Sequence, residues 1–493
     1  MYSFIISICA LVLGYLLYGK FVDKVFGPVP SRITPAISKQ NGVDFVVMPS
    51  WKVYMIQFLN IAGTGPIFGA IMGAKFGPAS YLWIVLGSIF AGGVHDYFSG
   101  MLSIRHGGAT LPEIVSAYLG KRTRRLMLGF SIILLLLVGT VFVYSPAIIL
   151  GDLAGNGTDM AVLSWVIAIF IYYILATLLP VDKLIGKLYP IFAFCMMFMA
   201  VALMICLFVK WPSLPELWEG LGNKGAEQGL SGMSSQPIFP CLFITIACGA
   251  LSGFHSTQSP IMARCVSNEK MGRPIFYGAM ITEGFVALIW AAVSSYFFFD
   301  GGAAQVGSDL SASAPQVVTS VSTAWLGVLG GILAIIGVVA APITSGDTAF
   351  RSARLILGDF LHIDQKPTRN RLRIAIPIFI LNTFLLWFNI SHEDGFNTIW
   401  RYFGWANQIL ACFTLWTATV YLSINKNGVY YLIALIPAAF MNGICMAYFF
   451  VDKSGMDLHE EFALPVAILT SIISLALFWF WRLKKFYKKF NRK

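Results

Sequence analysis

The chain has 493 residues, of which 57% are hydrophobic and only 12% charged, with a formal net charge of +11. Soluble globular domains carry about 25% charged residues, so this composition excludes a water-soluble multidomain enzyme, a disordered chain and a soluble domain on a single anchor. The basic balance fits either nucleic-acid binding or a bilayer protein with basic cytoplasmic loops, and the placement of the 34 Lys and Arg decides between them.

A bilayer core about 30 Å thick needs roughly 20 apolar residues in helical form. In chain order such runs fall at 2–19, 51–73, 79–103, 126–150, 162–180, 187–209, 238–264, 277–299, 324–346, 373–391, 402–423, 430–450 and 463–481. Trp51, Tyr81, Trp83, Trp211, Trp325, Trp400 and Trp405 recur near their ends, as in interfacial aromatic belts. The first run lacks a basic n-region and an A-x-A site, and Lys20 and Lys24 follow it, which predicts an uncleaved helix rather than a signal peptide. Thirteen spans sort the basic residues sharply. Lys75, Lys210, Lys224, Arg401 and Lys453 fall on one side and the other 29 on the opposite side. Losing or adding a span scrambles this asymmetry, and the positive-inside rule then puts the N-terminus outside and the C-terminus in the cytoplasm. The +11 is therefore no nucleic-acid footprint. Two loops have character. Residues 211–236 are polar, Gly-rich and extracellular, whereas 104–125 are basic and cytoplasmic, with Thr110-Leu-Pro-Glu113 reading as a capping box before a short amphipathic helix. The eight cysteines show no C-x-x-C and mostly fall in apolar runs, which reads as buried free thiols rather than a metal or redox centre.

Two spans are broken in the middle. The run 51–73 contains Asn60-Ile-Ala-Gly-Thr-Gly-Pro66, and the run 238–264 contains Ala247-Cys-Gly-Ala-Leu-Ser-Gly-Phe-His-Ser-Thr-Gln-Ser-Pro260. Gly and Pro weaken a helix, and backbone groups freed at membrane depth must find partners in protein or in a wet cavity. A pair of such breaks in corresponding positions points to a transporter binding site. They lie five spans apart, so the second set of five enters the membrane from the opposite side. The predicted fold is thus an all-α integral membrane protein of about thirteen helices. It has an inverted 5+5 repeat of the amino-acid/sodium-symporter type, one extra N-terminal helix and two extra C-terminal helices. Its parts are 1–50 (first helix and cytoplasmic loop), 51–210 (first repeat), 211–237 (extracellular loop), 238–423 (second repeat) and 424–493 (two helices and a basic cytoplasmic tail). Candidate substrate-binding residues are Gly63, Thr64, Gly65, Pro66, Gly249, Ser252, Gly253, His255, Ser256, Thr257 and Gln258. Close helix packing is the competing account of the glycines, which recur every four residues at 65, 69, 73 and 77, but it leaves the polar run 252–259 unexplained.

Few ionisable residues lie well inside the spans: His95 and Asp96, His255, and Glu283. A carboxylate at bilayer depth costs about 2.5–3.5 kcal/mol or more, so such residues face cavities and mark ion or proton paths. Asp96, Glu283 and His255 are the candidate proton-coupling residues. The competing reading has the carboxylates structural, pinning a neighbouring loop or paired with Arg264 or Arg105, and His95 merely a satisfied polar residue. The run 324–346 leads into Ala340-Ala-Pro-Ile-Thr-Ser-Gly-Asp-Thr-Ala-Phe-Arg351, where Ala341, Thr344 and Ser345 offer a carbonyl and two hydroxyls suited to Na⁺. The alternative there is a hydroxyl-rich helix terminus with Asp347 positioning Arg351 or Arg354.

Four segments resemble the carbon starvation protein A (CstA) family. They are Ile61–Pro66, Gly249–Pro260 running on to Ala263-Arg264, Gly272–Gly284, and Ala341–Arg354. The similarity spans most of the chain, which is shorter than the larger members. The resemblance implies a multi-pass transporter of the bacterial inner membrane that imports peptides during carbon starvation, or pyruvate by proton symport. Both substrates carry a carboxylate, which suits the positive ends of half-helices at a membrane midplane. The expectation is a secondary active transporter with no cofactor, a coupling ion of H⁺ or Na⁺, a small-molecule or short-peptide partner, and lipids around it. A passive channel, an intramembrane enzyme and a sensor are the rival classes. The sequence holds no H-E-x-x-H, G-x-S-x-G or G-x-G-x-x-G in catalytic context.

Overall fold

The computed structural model describes residues 1–155, 158–178, 181–392 and 395–490, and these residues carry helices and no strands. The last two residues of the run 162–180 and the tail residues 491–493 lie outside the described residues. The longer helices are α1 (Tyr2–Leu13), α2 (Lys20–Phe26), α3 (Ser50–Ile61), α4 (Ala70–Ala74), α5 (Ala79–Leu86), α6 (Gly93–Arg105), α7 (Leu111–Leu119), α8 (Lys121–Gly155) and α9 (Asp159–Leu178). They continue as α10 (Val181–Lys210), α11 (Ile238–Thr245), α12 (His255–Ala263), α13 (Gly278–Phe299), α14 (Ala314–Leu361), α15 (Thr368–Ser391), α16 (Gly395–Asn425), α17 (Leu432–Val451) and α18 (Ala463–Phe490). Among the described residues nine helices are long and apolar enough to cross a membrane. They become ten when α3 and the helix that resumes at Gly65, bent by 54°, count as one span. Three further expected runs are helical but stand outside that set: α5 with α6, the pair α11/α12, and α16. Each carries a break or buried polar residues.

Burial separates a central group of helices from a lipid-facing ring. α13 is buried along nearly its whole length, α3 and α6 pack beside it, and α12 packs against α3 and α6. In contrast α15 shows Ile376, Ile380, Phe384 and Trp387 on its surface, and α18 shows Leu464, Ile468, Leu469 and Ile472. Apolar faces of this extent need a lipid solvent rather than water. At one end of α13 the Glu216 carboxylate accepts from the backbone N–H of Tyr2 and Ser3, at 2.9 and 2.7 Å, and so caps the first turn of α1 from across the chain. At the other end Glu269, fully buried, accepts from Val29 N at 2.8 Å and pairs with Arg105 and Arg32, each at 3.4 Å.

Two expectations change here. The short helix after Thr110 forms and buries Leu111, Ile114 and Val115, but no side chain caps it. Glu113 turns away to pair with Arg124. The capping box that does form is Ser313 with Gln316, at the start of α14. The second change concerns the run 324–346. Its helix does not end in the hydroxyl-rich stretch but runs on to Leu361, while its break lies earlier, at Gly327 with φ of 67°. The stretch 344–354 remains helical because Thr344, Ser345, Asp347, Thr348, Arg351 and Arg354 are buried against protein, not lipid.

Candidate functional site

The two breaks meet at the centre. α3 ends at Ile61, and the chain crosses Ala62–Thr64 before a wide helical turn at Gly65–Gly69 leads into α4. α11 ends at Thr245, and helix resumes only at His255. A side chain at Gly65 would place its Cβ 2.3 Å from Cys248 Sγ, and one at Gly253 would lie 2.2 Å from the Asn407 carbonyl. These glycines therefore serve close approach. Among the candidate substrate residues, Gly65 and Gly253 are packing positions first, and Gly63 lies against Phe142.

The freed backbone finds partners on neighbouring helices. Trp83 Nε1 donates to the Ile246 carbonyl at 3.0 Å, Ser88 Oγ to Gly249 at 3.1 Å, and Gln408 Nε2 to Leu251 at 2.9 Å. Asn407 Oδ1 accepts from Phe254 N at 2.7 Å and from Ser252 Oγ at 3.1 Å. Of the polar run, Ser256 and Thr257 donate back to Gly253 and Phe254 within the same segment, at 2.6 and 2.7 Å. Gln258 donates to Thr257 Oγ1 at 2.7 Å and to Ser352 at 3.3 Å. Other buried atoms at the breaks have no protein hydrogen bond: both amide atoms of Asn60, Thr64 Oγ1 and Gln258 Oε1. Such atoms beside interrupted helices are available to a substrate.

His255, the first residue of α12, joins the intramembrane carboxylates into one row. His95 Nδ1 lies 2.8 Å from Asp96 Oδ1, and His255 Nδ1 lies 2.9 Å from Asp96 Oδ2. On its other side His255 Nε2 sits 3.2 Å from Glu283 Oε2, close but out of line for a hydrogen bond. All four side chains are fully buried. The row bridges α6, α12 and α13, the helices on which the two repeats would place their second members and the resumed half of the second break. If His255 donates Nδ1–H to Asp96, its Nε2 is an acceptor unless the ring is cationic. A proton between Nε2 and Glu283 must then come from a protonated ring or a protonated carboxyl.

The arginine pairings that the structural alternative named for these carboxylates are not made. Arg105 pairs with Glu269 and donates to Tyr421 Oη at 2.7 Å, and Arg264 donates to the Gly108 carbonyl at 2.8 Å and pairs with Asp359 at 3.6 Å. Neither reaches Asp96 or Glu283. His95 is satisfied at Nδ1 and lacks a partner at Nε2. At the proposed cation site, Ser345 Oγ donates to the Leu59 carbonyl in the first broken span at 2.9 Å. Thr344 Oγ1 donates to the Ala340 and Ala341 carbonyls at 3.0 and 2.8 Å. Asp347 accepts from Tyr189 Oη at 2.9 Å.

Sequence reasoning gave no role to Ser88, Asn407 and Gln408, read Trp83 only as an interfacial aromatic, and read Asn60 only as the edge of the first break. Charge at membrane depth stands out in a sequence, whereas an isolated neutral amide outside the two breaks does not. The adjacent pair Asn407-Gln408 inside an otherwise apolar run was the available signal.

Comparison with known proteins agrees with this architecture. Over 336 residues the chain is 47% identical to a protein of Haemophilus influenzae described as an uncharacterized membrane protein, covering 60% of this chain and 91% of that one. It is 26% identical to the peptide transporter CstA of Escherichia coli, over 88% of this chain and 78% of the relative. It is also 26% identical to the pyruvate/proton symporter BtsT of Escherichia coli, over 59% of this chain and 48% of that one. Among solved structures, a manganese transporter of Eremococcus coleocola superposes with a TM-score of 0.58 at 11% identity, covering 91% of this chain and 99% of that one. A Na⁺-coupled sialic acid symporter does so with a TM-score of 0.51 at 13% identity, over 95% and 96%. The likeness to these structures shows a shared fold. The family described as carbon starvation protein CstA matches residues 1–154, 147–328 and 310–447. This multi-pass membrane protein belongs to the carbon starvation protein CstA family.

Proposed function

We propose that the chain is a proton-coupled secondary transporter that imports small carboxylate-bearing nutrients, peptides or pyruvate, across the bacterial inner membrane. The observation that carries this reading is the buried row His95–Asp96–His255–Glu283, which touches the second break and contains no Arg or Lys. A proton entering the row changes the charge beside α12, and a substrate carboxylate at the breaks meets that charge. The names of the relatives, a peptide transporter and a pyruvate/proton symporter, supply the substrate classes. Thirteen spans with an inverted 5+5 repeat, the N-terminus outside and the C-terminus inside, form the frame for alternating access. The helices lying over all thirteen apolar runs and the 29-to-5 sorting of Lys and Arg support it. Substrate binding falls to the atoms around Asn60, Thr64, Ser252 and Gln258.

Sodium coupling is the second reading. It is favoured by Ser345 Oγ lying 2.9 Å from the Leu59 carbonyl, which brings two hard oxygens together across the repeats. One experiment separates the two. Purified protein in liposomes is given labelled pyruvate, dialanine or trialanine, with proton and sodium gradients imposed separately. Proton coupling predicts uptake above equilibrium with an inward proton gradient alone. Accumulation driven only by sodium would refute it, and uptake that neither gradient concentrates would point to a channel.

A further inference from the structure

On the side where the loops after α2, α6 and α14 converge, a cavity of about 650 Å³ is lined by Asp44, His106, Arg264, Asp359, Gln365 and Lys366, among others. In the proposed orientation this is the cytoplasmic vestibule. A narrower crevice between Thr110, Thr257, Pro260 and Ser352 lies on the side of the second broken span, and Arg264 lines both. One layer behind the vestibule wall stands Arg354, fully buried. Its Nη1 donates to Gln365 Oε1 at 2.8 Å. Its Nε and Nη2 make no hydrogen bond. Those two atoms form the side-on edge of the guanidinium, the edge that receives a carboxylate through two parallel hydrogen bonds. What faces it is Asp44, whose Oδ1 lies 3.6 Å from Arg354 Nη2 and 3.9 Å from Arg351 Nη1. That oxygen is itself buried without a hydrogen bond. A carboxylate thus stands before an unfilled bidentate edge at ion-pair range, too far to bond it.

We propose that the edge of Arg354 is a second carboxylate site on the release path, and that Asp44 is its internal occupant, displaced when a substrate carboxylate passes from the centre to the vestibule. This rests on the proposed function for the nature of the ligand and the direction of passage. Asp44 belongs to the loop before α3, so its displacement links release to movement of the first broken span.

The test uses the full chain in nanodiscs with an environment-sensitive fluorophore on Lys366→Cys, at the vestibule rim, and titrates pyruvate, inorganic phosphate and uncharged acetone. Asp44→Asn, which keeps shape and removes the competing charge, is expected to tighten pyruvate binding roughly tenfold, as when an occluding state that holds about nine-tenths of the population is removed. Arg354→Lys, which keeps charge but loses the fork, is expected to weaken it by a similar factor, and acetone should give no response. Equal pyruvate affinity in Asp44→Asn and the parent overturns the proposal, as does phosphate binding that pyruvate cannot displace. If Arg354→Lys does not elute as a monodisperse protein, the Asp44→Asn titration alone decides. Uptake by the parent, measured in liposomes, separates the two ideas. A reporter response without any carboxylate uptake refutes only the transport reading, and uptake with no Asp44 effect refutes only the second site.

Discussion

Asn407→Ala tests whether the second break is held open by a single side chain. Asn407 Oδ1 accepts from the Phe254 backbone at 2.7 Å and from Ser252 Oγ at 3.1 Å, and all three residues are fully buried. A side-chain hydrogen bond between membrane helices is worth only about 0.6 kcal/mol on average. The Phe254 N–H differs, because it is a backbone donor released by the break, and a buried donor without a partner costs about 1–3 kcal/mol. With the Ser252 bond added, the substitution should cost about 2–4 kcal/mol. Asn407→Asp in its protonated form keeps the acceptor and should recover most of that loss. The assay is thermal unfolding of the purified protein followed by intrinsic fluorescence, with substrate uptake measured on the same preparations. The expected result is a fall of several degrees and loss of uptake for Ala, and a smaller effect on both for Asp. Wild-type unfolding and uptake in Asn407→Ala would show that the break does not depend on this contact.

Four further outcomes follow from the same geometry. Glu283→Gln and Asp96→Asn should abolish concentrative uptake while leaving membrane insertion intact, and full accumulation in both variants would remove the row from the coupling path. Gly253→Ala should destabilise the protein by about 1–3 kcal/mol or more, the usual penalty of overpacking, because its Cβ would meet the Asn407 carbonyl at 2.2 Å and the Ala411 nitrogen at 2.4 Å, backbone atoms that cannot rotate away; unchanged unfolding would contradict that packing. For Glu216, burial alone raises the carboxyl, but hydrogen bonds from the Met1 amine and from Ser3 outweigh it and hold it below the ordinary carboxylate value. A depressed value in the folded state stabilises above the unfolded value of about 4.3 and is lost as pH falls through the folded one; the stability gap between wild type and Glu216→Gln should therefore be widest near neutrality and close in acid. Finally, cysteines placed at Gln228 and Lys366, after native thiols are blocked, should react with an impermeant reagent from the outside and the cytoplasmic side respectively, and labelling of both from one side would overturn the topology.

Sequence alone settled the solvent, the helical class and the position of the two breaks at Gly63–Pro66 and Gly249–Pro260, because each depends on local composition. Twenty apolar residues demand a bilayer, and Gly and Pro inside such a run interrupt it wherever the chain then goes. It also picked out Asp96, His255 and Glu283, since charge at membrane depth is rare enough to be informative. It could not decide what those residues touch. Pairing with Arg105 or Arg264 was equally compatible with composition, and only the packing of α6, α12 and α13 set His255 between two carboxylates while sending both arginines elsewhere. The same holds for the helix that runs on past residue 346. Its polar residues read as a terminus when taken as a string, yet they continue as buried helix because surrounding helices supply the partners that lipid cannot. The residue types of Asn407 and Arg354 do not say what they touch. They matter through a backbone N–H released by a break more than 150 positions before Asn407, and a carboxylate more than 300 before Arg354. Proximity over such separations exists only once the chain is folded.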